Sequence, residues 1–201
     1  MTKKEKVLTF ENEIKWIQNK DIRKFTIMIL SELPDYFFSI PASSTGKYHP
    51  SYSLGEGGLV RHTKGAMLIA KSLLDLEQYK NEYTQEQRDI MLTAILLHDG
   101  LKHGVNGGNY TIATHPIEMA DFVKSKSGIC KTIMGESGEE DEWLETICDC
   151  IASHMGEWNA DYKTKKVILP KPISSLEKFV HMCDYLASRK FLEVNFDKVE
   201  Y

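Results

Sequence analysis

Apolar residues recur along this chain at helical spacing, and an imidazole or a carboxylate interrupts nearly every such stripe. From Gly57 to about Gln78, the residues Leu59, His62, Ala66, Ile69, Ala70 and Leu73 define one face of a helix. The segment TQEQRDIMLTAILLHD opens on a Thr-x-x-Gln capping box at Thr84. It sets Met91, Ala94, Ile95 and His98 on one stripe, with Asp99 at the helix end. In HPIEMADFV, His115 stands at a helix entrance and Pro116 suits the first turn. EEDEWLETICDCIASHMGEW has acids at its N-terminal end and carries Trp143, Ile147, Cys150, Ile151 and His154 at helical spacing. In ISSLEKFVHMCDYLASRKF, Ser174 or Ser175 suits an N-cap, and Val180, Asp184 and Ala187 share a side. An earlier helix is predicted over about Glu11 to Ser31, with a break near Asp21. Strand signals are short and weak, so the expected class is all-α, a single-domain helical bundle.

A hydrophobic fraction of 42% supplies material for a sizeable core, and no Pro/Gly/Ser-rich linker divides the chain. The expected organisation is an N-terminal helical segment over residues 1–35 packing on the core, a main domain over 36–190 and a tail over 191–201. A net charge of −4 argues against a protein that grips long nucleic acid, which needs a basic stripe, and favours a small or short anionic substrate. The start MTKKEKVLTFENE is too polar for a signal peptide, and no later run reaches the length of a membrane span. Cys130, Cys148, Cys150 and Cys183 form no Cys-x-x-Cys pair and read as reduced thiols. These features predict a cytoplasmic protein with no membrane partner. Its oligomeric state stays open.

His62, His98, Asp99, His115, His154 and Asp184 thus come from separate predicted helices, each near the inner face. A lone histidine on an apolar face is ordinarily a core residue with one satisfied hydrogen bond. Burying all six groups together without a cation would leave them competing for few partners. Imidazole suits first-row transition metals, and carboxylates can bridge two cations held inside a bundle. The set therefore reads as metal ligands converging on an interior site.

The order His, His-Asp, His, His, Asp resembles the HD-domain superfamily of metal-dependent phosphohydrolases over roughly Tyr36 to Lys190. GGLVRHT is similar to the first-His helix, LLHDGLK to the signature doublet, THP to the third His, ASHMGEW to the fourth and LEKFVHMCDYLASR to the closing Asp helix. The resemblance implies an HD phosphohydrolase domain with one metal on His62, His98, Asp99 and Asp184. It implies a second metal on His115 and His154, with Asp99 bridging. The two divalent ions would be Mn, Fe, Co, Ni or Zn, and a metal-bound water would cleave a phosphoester or phosphoanhydride. Asp99 and Lys102 are the expected catalytic residues, Lys102 supplying charge for the substrate phosphate. Here Gly100 and Leu101 reverse the small and apolar positions that often follow the doublet in the family, while Lys102 keeps its spacing.

Arg61 and Lys64 flank His62, and Arg189 follows Asp184; each is a candidate phosphate contact, against the ordinary reading of a solvated basic residue. His103 reads either as a general acid or as a surface histidine, and His181 either as a residue that orients a ligand or as plain helix surface. His49 is expected near the pocket mouth. The lysines of YKTKKVILPKP and the acids of GESGEEDE read as solvated loop faces.

Several substrates stay open. Segments around His154 and Asp184 are similar to symmetrical dinucleoside tetraphosphate hydrolases, which implies a nucleotide or dinucleotide. The stretch FFSIPASSTGKYHPSYSLGEGGLVRHT resembles the HD-domain entry of bacterial 3′-to-5′ exoribonucleases, which implies short RNA or single-stranded DNA, with Tyr48, Tyr52 and Trp158 as stacking candidates. Some HD proteins with six such ligands are diiron oxygenases, and a non-catalytic nucleotide-binding module is a further reading.

Overall fold

The computed structural model describes residues 1–43, 45–47, 49–128 and 140–192. Tyr48, Cys130, the acidic run at 135–139 and the tail from 193 lie outside the described residues. The helices are α1 (Lys3–Thr9), α2 (Glu11–Ile14), α3 (Lys20–Glu32), α4 (Gly58–Leu74), α5 (Glu77–Glu82), α6 (Gln85–Leu97), α7 (His115–Lys124), α8 (Glu140–Ser153) and α9 (Ser175–Ala187). Among the described residues, pairing of the β type is limited to one isolated antiparallel bridge, Ala160 with Val167. The expected all-α bundle is what the chain forms.

Helix α6 lies at the centre. Its first turn is polar and capped by Thr84, whose hydroxyl accepts from the Gln87 amide while the Gln87 side chain accepts from the Thr84 amide. From Asp89 to Leu97 every residue is buried, because α3, α4, α8 and α9 pack around it. A helix apolar on all sides has no solvent face, so whatever follows its last turn is also carried into the interior. His98 and Asp99 are that continuation.

The helix ends follow local chemistry. Ser174, rather than Ser175, caps α9 in a capping box with Glu177. Pro116 occupies the first turn of α7, where a missing N–H costs nothing. The helix predicted to run to Gln78 stops at Leu74, and Gln78 belongs to the short α5. The N-terminal helix predicted from Glu11 to Ser31 is interrupted before Lys20 instead of near Asp21. Asn19 explains this, since its side chain accepts from the Asp21 and Ile22 amides and starts α3 there. Helix α1 was missed at the sequence level although Thr2 and Glu5 form a capping box.

Polar contacts join the N-terminal helices to the rest. Buried Asp89 accepts from the Gln18 amide at 3.0 Å, the Asn19 amide at 2.7 Å and the Gln85 side chain at 2.9 Å. Glu13, fully buried, pairs with Lys64 of α4 at 3.1 Å through both oxygens. The hydroxyls of Thr26 and Thr93 meet at 3.0 Å between α3 and α6. Around them Phe25 meets Trp143 edge-on at 5.3 Å, which seats α8 on α3. Cys148, Cys150 and Cys183 are free thiols within the core. No helix among the described residues is long and apolar enough to cross a membrane.

Replacing Asp89 with Ala would leave two backbone N–H groups without their buried acceptor. We expect a loss of about 3 kcal/mol, seen as a fall of roughly 6–12 °C in the melting temperature followed by circular dichroism. A variant that melts with the wild type would show that Asp89 does not hold α3 to α6.

Candidate metal centre

His98 caps the C-terminal end of α6, His154 follows the last residue of α8, and His115 opens α7. Each donates from Nδ1 to the carbonyl three residues earlier, Ile95, Ile151 and Ile112 respectively, at 2.7 Å. The Ile95 and Ile151 carbonyls lie in the last turns of α6 and α8, where the helical ladder runs out; the Ile151 carbonyl also accepts a long bond from the His154 amide at 3.4 Å. The bond keeps a proton on Nδ1, so that Nε2 is the nitrogen facing inward. His62, in the middle of α4, reaches the same point from another side, and Asp184 reaches it from α9.

The two oxygens of Asp99 face different neighbours. Its Oδ2 lies 3.4 Å from His98 Nε2 and 3.9 Å from His62 Nε2, and it also receives Lys102 Nζ. Its Oδ1 lies 3.0 Å from His115 Nε2 and 3.8 Å from His154 Nε2. Asp184 Oδ1 is 2.9 Å from His62 Nε2 and 3.5 Å from His98 Nε2. Asp99 is only 2% exposed, and the four imidazoles 2% or less. His98 Nε2, His115 Nε2 and Asp99 Oδ1 are buried with no hydrogen-bond partner despite this crowding. Lone pairs converging on one buried point are costly unless a cation lies between them.

The donor set fits a divalent transition metal. His62, His98 and Asp184 present ligand atoms within 4.8 Å of one another, and so do His98, Asp99 and His154. The local field is built to attract positive charge. Burial pulls the His98 imidazolium down, but the Asp99 charge and the nearby Asp184 carboxylate outweigh it and hold His98 up at about 10. Burial and the neighbouring His98 push His154 down to about 3. Burial would raise both carboxyls, yet Lys102 and His98 hold Asp99 well below the usual carboxylate range, and His62 and His98 do the same for Asp184.

A cavity of about 280 Å³ opens onto this cluster. Asp99, His115, His154 and Asp184 line its floor, with Lys102 and Arg189 as its cationic side chains. His62 and His98 lie behind the floor. At the mouth Trp158 and Tyr185 stack at 5.6 Å and 12°, with the Arg189 guanidinium 4.4 Å over the Tyr185 ring. Tyr185 was not singled out from sequence; its place next to Asp184 on α9 was the available signal.

Of the other sequence candidates, His49 and His181 line the cavity, and Arg61, Lys64 and His103 do not. Arg61 donates to the carbonyls of Tyr52, Leu54 and Glu56, so its guanidinium clamps the loop that enters α4. Lys64 is turned to Glu13, away from the cavity. His103 stacks on Tyr36 at 5.5 Å and is absent from the cavity lining. His181 lines the cavity and donates from Nδ1 to the His154 carbonyl at 2.7 Å. Gly156 makes room for this, since a Cβ there would lie 2.2 Å from the His181 ring. His49 lines the cavity, edge-on to His62 at 5.4 Å. Tyr52 is tied to the Ala187 carbonyl at 3.1 Å. Gly100 packs where a Cβ would meet Leu33 and Met119 at 2.8 Å, and Leu101 is buried. The reversed Gly-Leu order is thus a packing solution that still brings Lys102 to Asp99.

The family model of the HD domain matches residues 59–189, so this chain belongs to the HD-domain family. That membership puts it among the metal-dependent phosphohydrolases. No curated protein and no solved structure matches the chain.

A metal held by His98 would have to displace the proton that the Asp99 and Asp184 carboxylates hold on its ring up to about 10. Affinity should therefore rise with pH through the neutral range, by up to tenfold per unit, and level off near 10. His154, neutral above about 3, adds no further slope. Titration calorimetry in buffers of different ionisation enthalpy would read the released proton; a pH-independent affinity would contradict the ligand role of His98.

Proposed function

We propose that the protein hydrolyses a phosphoester or phosphoanhydride bond of a nucleotide or dinucleotide, using two divalent transition-metal ions. The observation that carries this reading is the division of Asp99, whose oxygens face two separate groups of imidazoles. His62, His98, Asp99 and Asp184 would hold one ion; His115 and His154 would hold the other, with Asp99 shared. Ions held there supply Lewis-acid polarisation of a phosphoryl group and lower the pKa of water near neutrality. Among the described residues, Lys102 is the basic side chain nearest Asp99, positioned to meet a phosphate oxygen once a cation draws Asp99 to itself. Arg189 stands farther out, where it would meet a second phosphate.

Trp158 and Tyr185 support the nucleotide. Trp158 is 47% exposed at the mouth, and a cavity of about 280 Å³ suits one nucleotide unit better than a long strand. Of the stacking candidates for an exonuclease, Tyr52 is already bound to Ala187. Arg61, Lys64 and His103 have no place at the cavity, so substrate binding is assigned to Lys102 and Arg189.

Asp99→Ala should lose bound metal and turnover together while keeping the helical spectrum. Exhaustive chelation should abolish activity, and divalent metal should restore it. The first experiment is metal analysis of anaerobically purified protein with a panel of mononucleotides, dinucleoside polyphosphates, cyclic dinucleotides and short RNA. About two divalent ions with phosphate or nucleotide release support the reading. Two irons with O₂ uptake and no release would make it an oxygenase, and full activity after verified metal removal would reject metal catalysis.

Trp158→Ala should raise KM for the nucleotide by roughly 5- to 150-fold with little change in kcat, since stacking of a base contributes about 1–3 kcal/mol. Hydrolysis of p-nitrophenyl phosphate should be unaffected. Equal damage to both substrates would place Trp158 in the structure of the site instead of in base recognition.

A further inference from the structure

Of the four buried imidazoles around Asp99, three have a partner for Nδ1 and one does not. His98, His115 and His154 each use the carbonyl three residues earlier, at 2.7 Å. His62 cannot, because it sits in the middle of α4, where carbonyls belong to the helix ladder and the Leu59 oxygen also accepts from the Thr63 hydroxyl at 3.0 Å. His62 Nδ1 is buried with no hydrogen-bond partner, and so is the Nδ1 of His49. The two rings meet edge-on, with centroids 5.4 Å apart and planes at 61°. Rings this close bring edge nitrogens within hydrogen-bond reach once they are turned toward each other. The ring torsion of histidine is broad, and small rotations bring the two nitrogens into line.

We propose that His49 accepts a hydrogen bond from His62 Nδ1 and is a positioning residue of the metal centre, an inference that rests on His62 being a ligand. A metal-bound imidazole needs its other nitrogen protonated and anchored, which fixes both tautomer and ring direction. For the three histidines at helix termini the backbone does this. For the one inside a helix, His49 in the loop that precedes α4 does it.

The test is Co(II) titration of the full-length metal-free protein, read by visible absorption, for the wild type, His49→Phe, His49→Asn and His62→Ala. His49→Phe keeps a ring without an acceptor and should weaken Co(II) binding about 10- to 100-fold, with the melting temperature of the metal-free protein unchanged. His49→Asn, which restores an acceptor, should recover affinity to within a few-fold. Wild-type binding by His49→Phe, or no recovery in His49→Asn, overturns the proposal. If His62→Ala binds as the wild type does, the ligand assignment falls and the proposal with it; if His62→Ala loses metal while His49→Phe keeps it, only the positioning role is lost. Should His49→Phe fail to fold, nitrogen-15 spectra of the Zn(II)-loaded wild type decide. A protected, hydrogen-bonded His62 Nδ1 proton supports the pair, and its absence overturns it.

Discussion

The carboxylate of Asp99 is the group on which the architecture turns. It is almost fully buried, held ionised, and approached on one oxygen by His62, His98 and Lys102 and on the other by His115 and His154. An isolated carboxylate in such a place would be prohibitively costly. The fold offsets this with the Lys102 ammonium and the His98 ring, and brings α4, α7, α8 and α9 to the same end of α6, each delivering a nitrogen or an oxygen that a cation could bind. Because α6 is buried all round from Asp89 to Leu97, its last turn has no route to solvent, and the doublet after it is committed to the interior.

The remaining charges are arranged so that few cations reach the cavity. Lys64 neutralises Glu13 on the far side of α4, and Arg61 braces the loop before that helix. Lys102 and Arg189 line the cavity. Under the proposed function, its carboxylates would draw a metal and its two cationic side chains a phosphate group. The N-terminal helices are tied in through Asp89 of α6, which accepts from the amides just before α3, and through Glu13, which pairs with Lys64 of α4.

Much of this was readable in the residue order. Helical spacing and capping boxes located α4, α6, α7 and α9, and the recurrence of His or Asp on inner faces selected the six central side chains. Flanking residues were harder. Arg61 and Lys64 stand beside a ligand in sequence, but neighbours on a helix point to different faces, and their partners lie in a loop and in α2. His103 looked available in a glycine-bearing loop, yet Tyr36, far away in sequence, stacks on it. Tyr185 went unremarked because nothing local distinguishes an aromatic that lines a cavity from one that packs in a core.

By itself, the sequence determined that the chain is helical, where its main helices begin, and which six imidazoles and carboxylates converge on one interior point. Those properties depend on periodicity and on local hydrogen bonds, which act within a few residues. Only the tertiary structure decided which oxygen of Asp99 faces which imidazoles, which basic residues reach the cavity, and which imidazole lacks a backbone partner. These depend on contacts between helices and loops distant along the chain, and on direction, which spacing alone does not encode.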